Sequence, residues 1–209
     1  MGQYFQVVNI SKKEMLYPFD VGSIGLKLTE WANSNTIMVC TMMNLMAGRW
    51  KGDVVFVVGD YAADEALREK PNETPPVWEQ AYKNALQKID PNELAHWGGK
   101  SAKNIYDWSD HACASLDPVL DKDWRYVVNH AEKVYIDLAH CPERWDGSGY
   151  SCAPLPILLA MGNGLGGGDY YGPNMELAGS WCDTVQSIEV TNKFPSGDYM
   201  EIYPNFTEG

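Results

Sequence analysis

The segment YFQVVNISKKEMLY, residues 4–17, is answered 120 residues later by WRYVVNHAEKVYID, residues 124–137. Val7-Val8-Asn9 lies over Val127-Val128-Asn129, and Lys13 over Lys133. In each copy an apolar, β-branched run reaches an asparagine, crosses a short polar stretch and turns apolar again, the pattern of a β-hairpin. Further on, Ala47-Gly48-Arg49-Trp50 and Ala178-Gly179-Ser180-Trp181 each close an apolar segment and precede a β-branched strand. The sequence therefore predicts an α+β fold in one domain. Two hairpin–helix–strand halves, residues 1–63 and 123–209, flank a helical, acidic connection, residues 64–122. Sites often fall where such halves meet.

Between the hairpin and Trp50, Leu26-Lys27-Leu28-Thr29 alternates as a half-exposed strand does. Asn35 or Thr36 is placed to cap a helix through IMVCTMMNLM, with Gly48 as its C′ residue. That helix is apolar nearly all round and is expected to be buried. Val54–Val58 is a continuous apolar run, β-branched apart from Phe56, and reads as a central strand. In the connection, Thr74 and Pro75 open a helix whose apolar face runs from Trp78 to Ile89, and Asp90-Pro91 stops it. A shorter helix is expected after Ser109, through His111 to Leu116.

The 209 residues carry 16 basic and 28 acidic side chains, a net charge of −12. Residues 1–60 hold five of each sign, so the acidic excess lies entirely beyond them. Such a surface repels phosphate backbones, and no nucleic-acid partner is expected. The longest near-apolar run, Thr36 to Met46, is about half a bilayer span, so no membrane partner is expected either. Five cysteines without a C-x-x-C pair and no secretory leader predict reduced thiols and a cytoplasmic location.

One stretch stands apart. MGNGLGGGDYYG, residues 161–172, sets six glycines around a single charge, Asp169, and two tyrosines. Glycine in such number costs backbone entropy, and its usual return is positive φ or close backbone approach. Successive glycine N–H groups can also cradle an anion. A small anionic or nucleotide-like ligand is accordingly placed on Asn163, Gly164, Gly166, Gly167, Gly168, Asp169 and Tyr170. Trp50 and Trp181 are candidates to stack on it. An alternative is a hydrolase or transferase in which Asp169 works with Asp53, Asp183 or His130. A third is an acidic protein-interaction factor. No cofactor is expected. His111-x-Cys113 and His140-Cys141 lack a second pair at zinc spacing, so no metal is expected.

The opening Met-Gly-Gln-Tyr-Phe, the Val8-Asn9-x-x-Lys12-Lys13-Glu14 turn, Gly48 to Tyr61, Asp107-Trp108-Ser109-Asp110 and Gly162 to Tyr170 together resemble a widespread family of uncharacterised proteins from bacteria, phages and some lower eukaryotes. The resemblance covers nearly the whole chain. The family has no established activity, so kinship implies no mechanism.

Overall fold

A computed structural model describes residues 2–62, 76–99, 104–121, 123–141, 150–162 and 168–208. Its framework is two hairpins with one register. In the first, β1 (Phe5–Asn9) and β2 (Glu14–Leu16) pair Val7 with Leu16, Val8 with Met15 and Asn9 with Glu14. In the second, β5 (Tyr126–Asn129) and β6 (Val134–Asp137) pair Val127 with Ile136, Val128 with Tyr135 and Asn129 with Val134. These three pairings are shifted by 120 residues.

The turns agree as well. Lys13 and Lys133 both take positive φ, 53° and 58°, one residue before the return strand. Asn9 Oδ1 accepts from Lys12 N at 3.0 Å, and Asn129 Oδ1 from Ala131 N at 3.1 Å. An asparagine side chain that stands in for backbone at a turn explains why Val-Val-Asn ends both strands.

A third strand flanks each hairpin. β3 (Val55–Gly59) runs antiparallel to β1, Val7 opposite Val57, and β9 (Ile188–Thr191) runs antiparallel to β5, Val127 opposite Val190. Short parallel strands complete the outer edges, β4 (Ala114–Ser115) on β2 and β10 (Met200–Glu201) on β6. The sheet orders are β4-β2-β1-β3-β8 and β10-β6-β5-β9, where β8 (Ala160–Met161) is parallel to β3. A two-stranded ribbon joins β7 (Tyr150–Ser151) to β11 (Thr207–Glu208). β3 is interior, held between β1 and β8, and all five of its residues are buried.

The helices depart from expectation at their boundaries. Leu28–Trp31 form a helical turn, α1, rather than the expected strand over residues 26–29. Glu30 Oε2 accepts from Lys27 N at 3.0 Å and closes the turn, while Leu28 and Trp31, three apart, point together into the core. α2 (Ile37–Ala47) is capped by Thr36, whose Oγ1 accepts from Val39 N, and it is buried from Met38 to Met46 apart from Cys40. Gly48 follows with φ −126°, so it ends the helix without the left-handed conformation of a C′ glycine.

In the connection, α3 (Glu79–Leu86) keeps the expected apolar face, with Ala81, Tyr82 and Ala85 buried. Its proposed cap, Thr74-Pro75, lies outside the described residues. Asp90-Pro91 begins a new helix instead of ending the old one: Asp90 caps α4 (Pro91–Trp97), accepting from Asn92 N at 2.8 Å. α5 (Ile105–Ala112) starts four residues before Ser109, capped by Asn104. Residues 114 and 115, expected to be helical, pair with the edge of β2, which offers backbone partners that a frayed helix end lacks. With α6 (Pro154–Leu158), both halves drain into one core that includes Val57, Leu155, Ile136, Val190 and Phe206.

Candidate functional site

Asn163, Gly164, Gly166 and Gly167 lie outside the described residues. The described flank of the glycine stretch is packed into the fold. Gly168 O accepts from Leu28 N at 3.1 Å, which ties it to the start of α1. The buried Asp169 side chain sits against Gly162 and Phe5: a Cβ on Gly162 would come within 2.5 Å of Asp169 Oδ1 and 3.1 Å of Phe5 Cζ. Tyr170 Oη donates to Pro173 O at 2.8 Å and lies 3.2 Å from Thr207 O, and its ring meets Phe206 edge-on. Gly168 to Tyr170 thus fasten the N-terminal strand to the C-terminal segment.

The candidate carboxylates sit on different elements. Asp53 Oδ2 accepts from Asn9 Nδ2 at 2.8 Å and from Lys12 Nζ, at the Asn9 end of β1. Asp169 lies at the Phe5 end of that strand, which spans about 13 Å from Phe5 to Asn9. Asp183 is exposed, in the first turn of the 3-10 helix that leads into β9. Trp50 and Trp181 are 0% and 2% exposed. Neither presents a ring face to a ligand from solvent; apolar burial claims both.

His130 is better placed than its expected partners. Its Nδ1 lies 2.7 Å from Tyr199 Oη and its Nε2 2.9 Å from Glu189 Oε2, while Lys51 Nζ reaches Glu189 Oε1 at 2.6 Å. Lys51 and His130 together hold the Glu189 carboxyl below its ordinary range, the lysine bond contributing most. The Lys133 ammonium sits 5.0 Å from the Tyr199 ring centre. This cluster borders a cavity of about 240 Å³.

A larger cleft of about 420 Å³ opens where the halves meet. Val39, Cys40 and Met43 of α2 form one wall, and Leu138, Ala139 and Cys141, just past β6, form another. Leu155 of α6 and Arg125 also line it. Arg125 holds Asp137 in a two-pronged bond, Nε to Oδ1 at 2.5 Å and Nη2 to Oδ2 at 2.8 Å. That bond keeps the Asp137 carboxyl below its usual range. The other guanidinium nitrogen, Nη1, has no protein partner among the described residues. Burial raises both thiols in the cleft, Cys141 to about 11, so each is a protonated apolar group at neutral pH.

Beside the cleft, His140 Nδ1 lies 2.6 Å from Glu201 Oε1, and Tyr135 Oη donates to Glu201 Oε2 at 3.2 Å. The sequence reading missed Arg125, Asp137 and Glu201 altogether. The signal it held was Asp137-x-x-His140 at a strand end; Glu201 joins only through the β6–β10 pairing.

No protein-family model, curated protein or solved structure matches this chain. Among the described residues, no helix is long and apolar enough to cross a membrane.

Proposed function

We propose that the protein binds a small molecule with an apolar body and a single acidic group, in the cleft between α2 and the β6 end. One observation carries this reading: a cavity of about 420 Å³, within the roughly 300–1,000 Å³ of ligand sites, whose lining joins apolar side chains of α2, α6 and the β6 end with Arg125. Arg125 keeps an unused nitrogen for a carboxylate or a phosphate monoester. Asp123 also lines the cleft, and its charge disfavours a polyanion such as a nucleoside triphosphate. The described flank of the glycine stretch, Gly168 to Tyr170, then serves as a fastening. A cytoplasmic setting without nucleic acid belongs to the same proposal, supported by the acidic balance of the chain.

Mass spectrometry of what heat releases from the purified protein, together with thermal shift against aryl and alkyl carboxylates, tests it. A ligand at one hundred times its Kd adds about 2.7 kcal/mol of stability. Ala139→Phe, at an exposed position on the cleft wall, is expected to abolish that gain and leave the ligand-free melting temperature unchanged. If no acid stabilises the wild type, or if Ala139→Phe binds normally, the cleft is not the site.

A hydrolase or transferase reading is favoured by one arrangement, the Tyr199–His130–Glu189 chain, in which a base is oriented by a carboxylate and reaches a hydroxyl. In that reading the partner of His130 is Glu189, not Asp169. It requires turnover that His130→Gln removes.

A further inference from the structure

The Asp137, His140 and Glu201 side chains come from three places: the last residue of β6, the 3-10 turn after it, and the parallel strand β10 beside it. Their convergence is therefore built into sheet pairing rather than into one loop. One donor atom from each lies within 4.8 Å of the other two. His140 Nδ1 is 2.6 Å from Glu201 Oε1 and 3.8 Å from Asp137 Oδ2. From these positions we propose that Asp137, His140 and Glu201 form a divalent transition-metal site, with zinc as the ion that fits.

Metal–ligand bonds of about 2.0–2.2 Å at tetrahedral angles put donor atoms roughly 3.3 Å apart. The two short separations here, 2.6 and 3.8 Å, straddle that value, so the three side chains need only sub-ångström to ångström adjustments within the 4.8 Å they already share. On binding, His140 carries its ring proton on Nε2 and gives the Nδ1 lone pair to the ion, in place of the contact with Glu201. The two carboxylates outnumber the one guanidinium paired with them, which favours a cation.

The surrounding bonds orient the ligands. On Asp137, Arg125 Nε and Ala139 N occupy Oδ1, while among the described residues Oδ2 accepts only from Arg125 Nη2 and keeps a lone pair for the ion. Tyr135 Oη orients Glu201 through its other oxygen. An imidazole with two carboxylates favours zinc over calcium or magnesium, which prefer all-oxygen shells. His140 is half exposed, so a fourth position stays open to water. Its neighbours Ala139 and Cys141 line the cleft, but the site stands without that reading, since its test contains no organic ligand.

The test is calorimetric titration of the metal-stripped full chain with Zn²⁺, with Ca²⁺ and Mg²⁺ in parallel. The expected result is one equivalent of zinc and no heat from the other two. His140→Ala and Glu201→Gln should each weaken binding at least tenfold, and Tyr135→Phe by about tenfold through lost orientation. His130→Ala and His96→Ala should bind as the wild type does. In the wild type itself, zinc should shift the NMR resonances of the His140 ring and leave those of His111 in place. This keeps the proposal falsifiable if a variant folds poorly. Absence of zinc binding, binding unchanged in both ligand variants, or shifts confined to another histidine would overturn the proposal.

Discussion

Trp50 donates its indole N–H to Glu14, Nε1 to Oε2 at 2.7 Å, and both side chains are buried. Arg49 engages the other oxygen of the same carboxylate from the solvent side. Trp50 is therefore fixed by a charged acceptor on β2, not merely enclosed. Val134 stands at the matching position of the second hairpin, so this bond has no counterpart there. Glu14→Ala should cost about 1–3 kcal/mol, because it strands a buried donor as well as removing a bond. Urea denaturation measures the loss, and an unchanged midpoint would show that water satisfies the indole.

Val55 is fully buried in β3 opposite Asn9. Val55→Asp places an unpaired carboxylate between two strands and should cost several kcal/mol, seen as a collapse of soluble, cooperatively melting protein. A soluble variant with the wild-type melting temperature would mean that the strand is not interior.

Gly179 has φ +75°, and a Cβ there would lie 2.5 Å from the Trp78 ring and 2.6 Å from Ala160 O. Gly179→Ala combines strain with a collision against backbone. Its expected cost is about 1–3 kcal/mol, again from denaturation midpoints. Gly52 has φ +78° with open space around it, so Gly52→Ala tests the strain alone and should cost less.

The Asp137 carboxyl is held down chiefly by Arg125. A carboxylate with a depressed folded value stabilises the protein above its unfolded pKa, near 4, and that stability disappears as pH falls through the folded value. Asp137→Asn should therefore be less stable than wild type at pH 7, and the gap should close below about pH 4. A gap that stays constant from pH 7 to pH 3 would show that the ion pair contributes nothing.

All five cysteines are free thiols. Burial raises Cys40, Cys113, Cys141 and Cys182, Cys113 to about 12 and Cys182 from within the core. Reaction with a chromogenic disulfide at pH 7.5 should be slow for these four and complete only in denaturant. Prompt titration of any of them in the native protein would contradict their burial.

The strands were legible because their physics is local. Val-Val-Asn twice, and Val54–Val58 once, combine β-branched residues with a turn-forming end, and the two hairpins fall in the same register. Leu26 to Thr29 reads as a strand because a single helical turn is too short to separate a period of three from a period of two. Asp90-Pro91 looked like an end, since proline bars a continuing helix, yet the same residues are well suited to begin one. The site was less legible for a different reason. Glycine, aspartate and tryptophan drew attention as residue types, but what brings groups together is pairing between β6 and a strand more than sixty residues later. No spacing rule along the chain encodes that distance.

That long-range pairing also sets an order of events during synthesis. β10 and β11 come last among the elements, yet they complete the edge of β6 and the ribbon with β7, and Phe206 seals into the shared core. Cys152 N waits for Phe206 O as its backbone partner, at 2.8 Å. A ribosome paused at residue 198 would therefore display a chain with both hairpins made, an open seam beside β6, and no Glu201 opposite His140. The second half can close only after translation has delivered residues 200–208, which leaves the nascent chain exposed to proteases and chaperones until then.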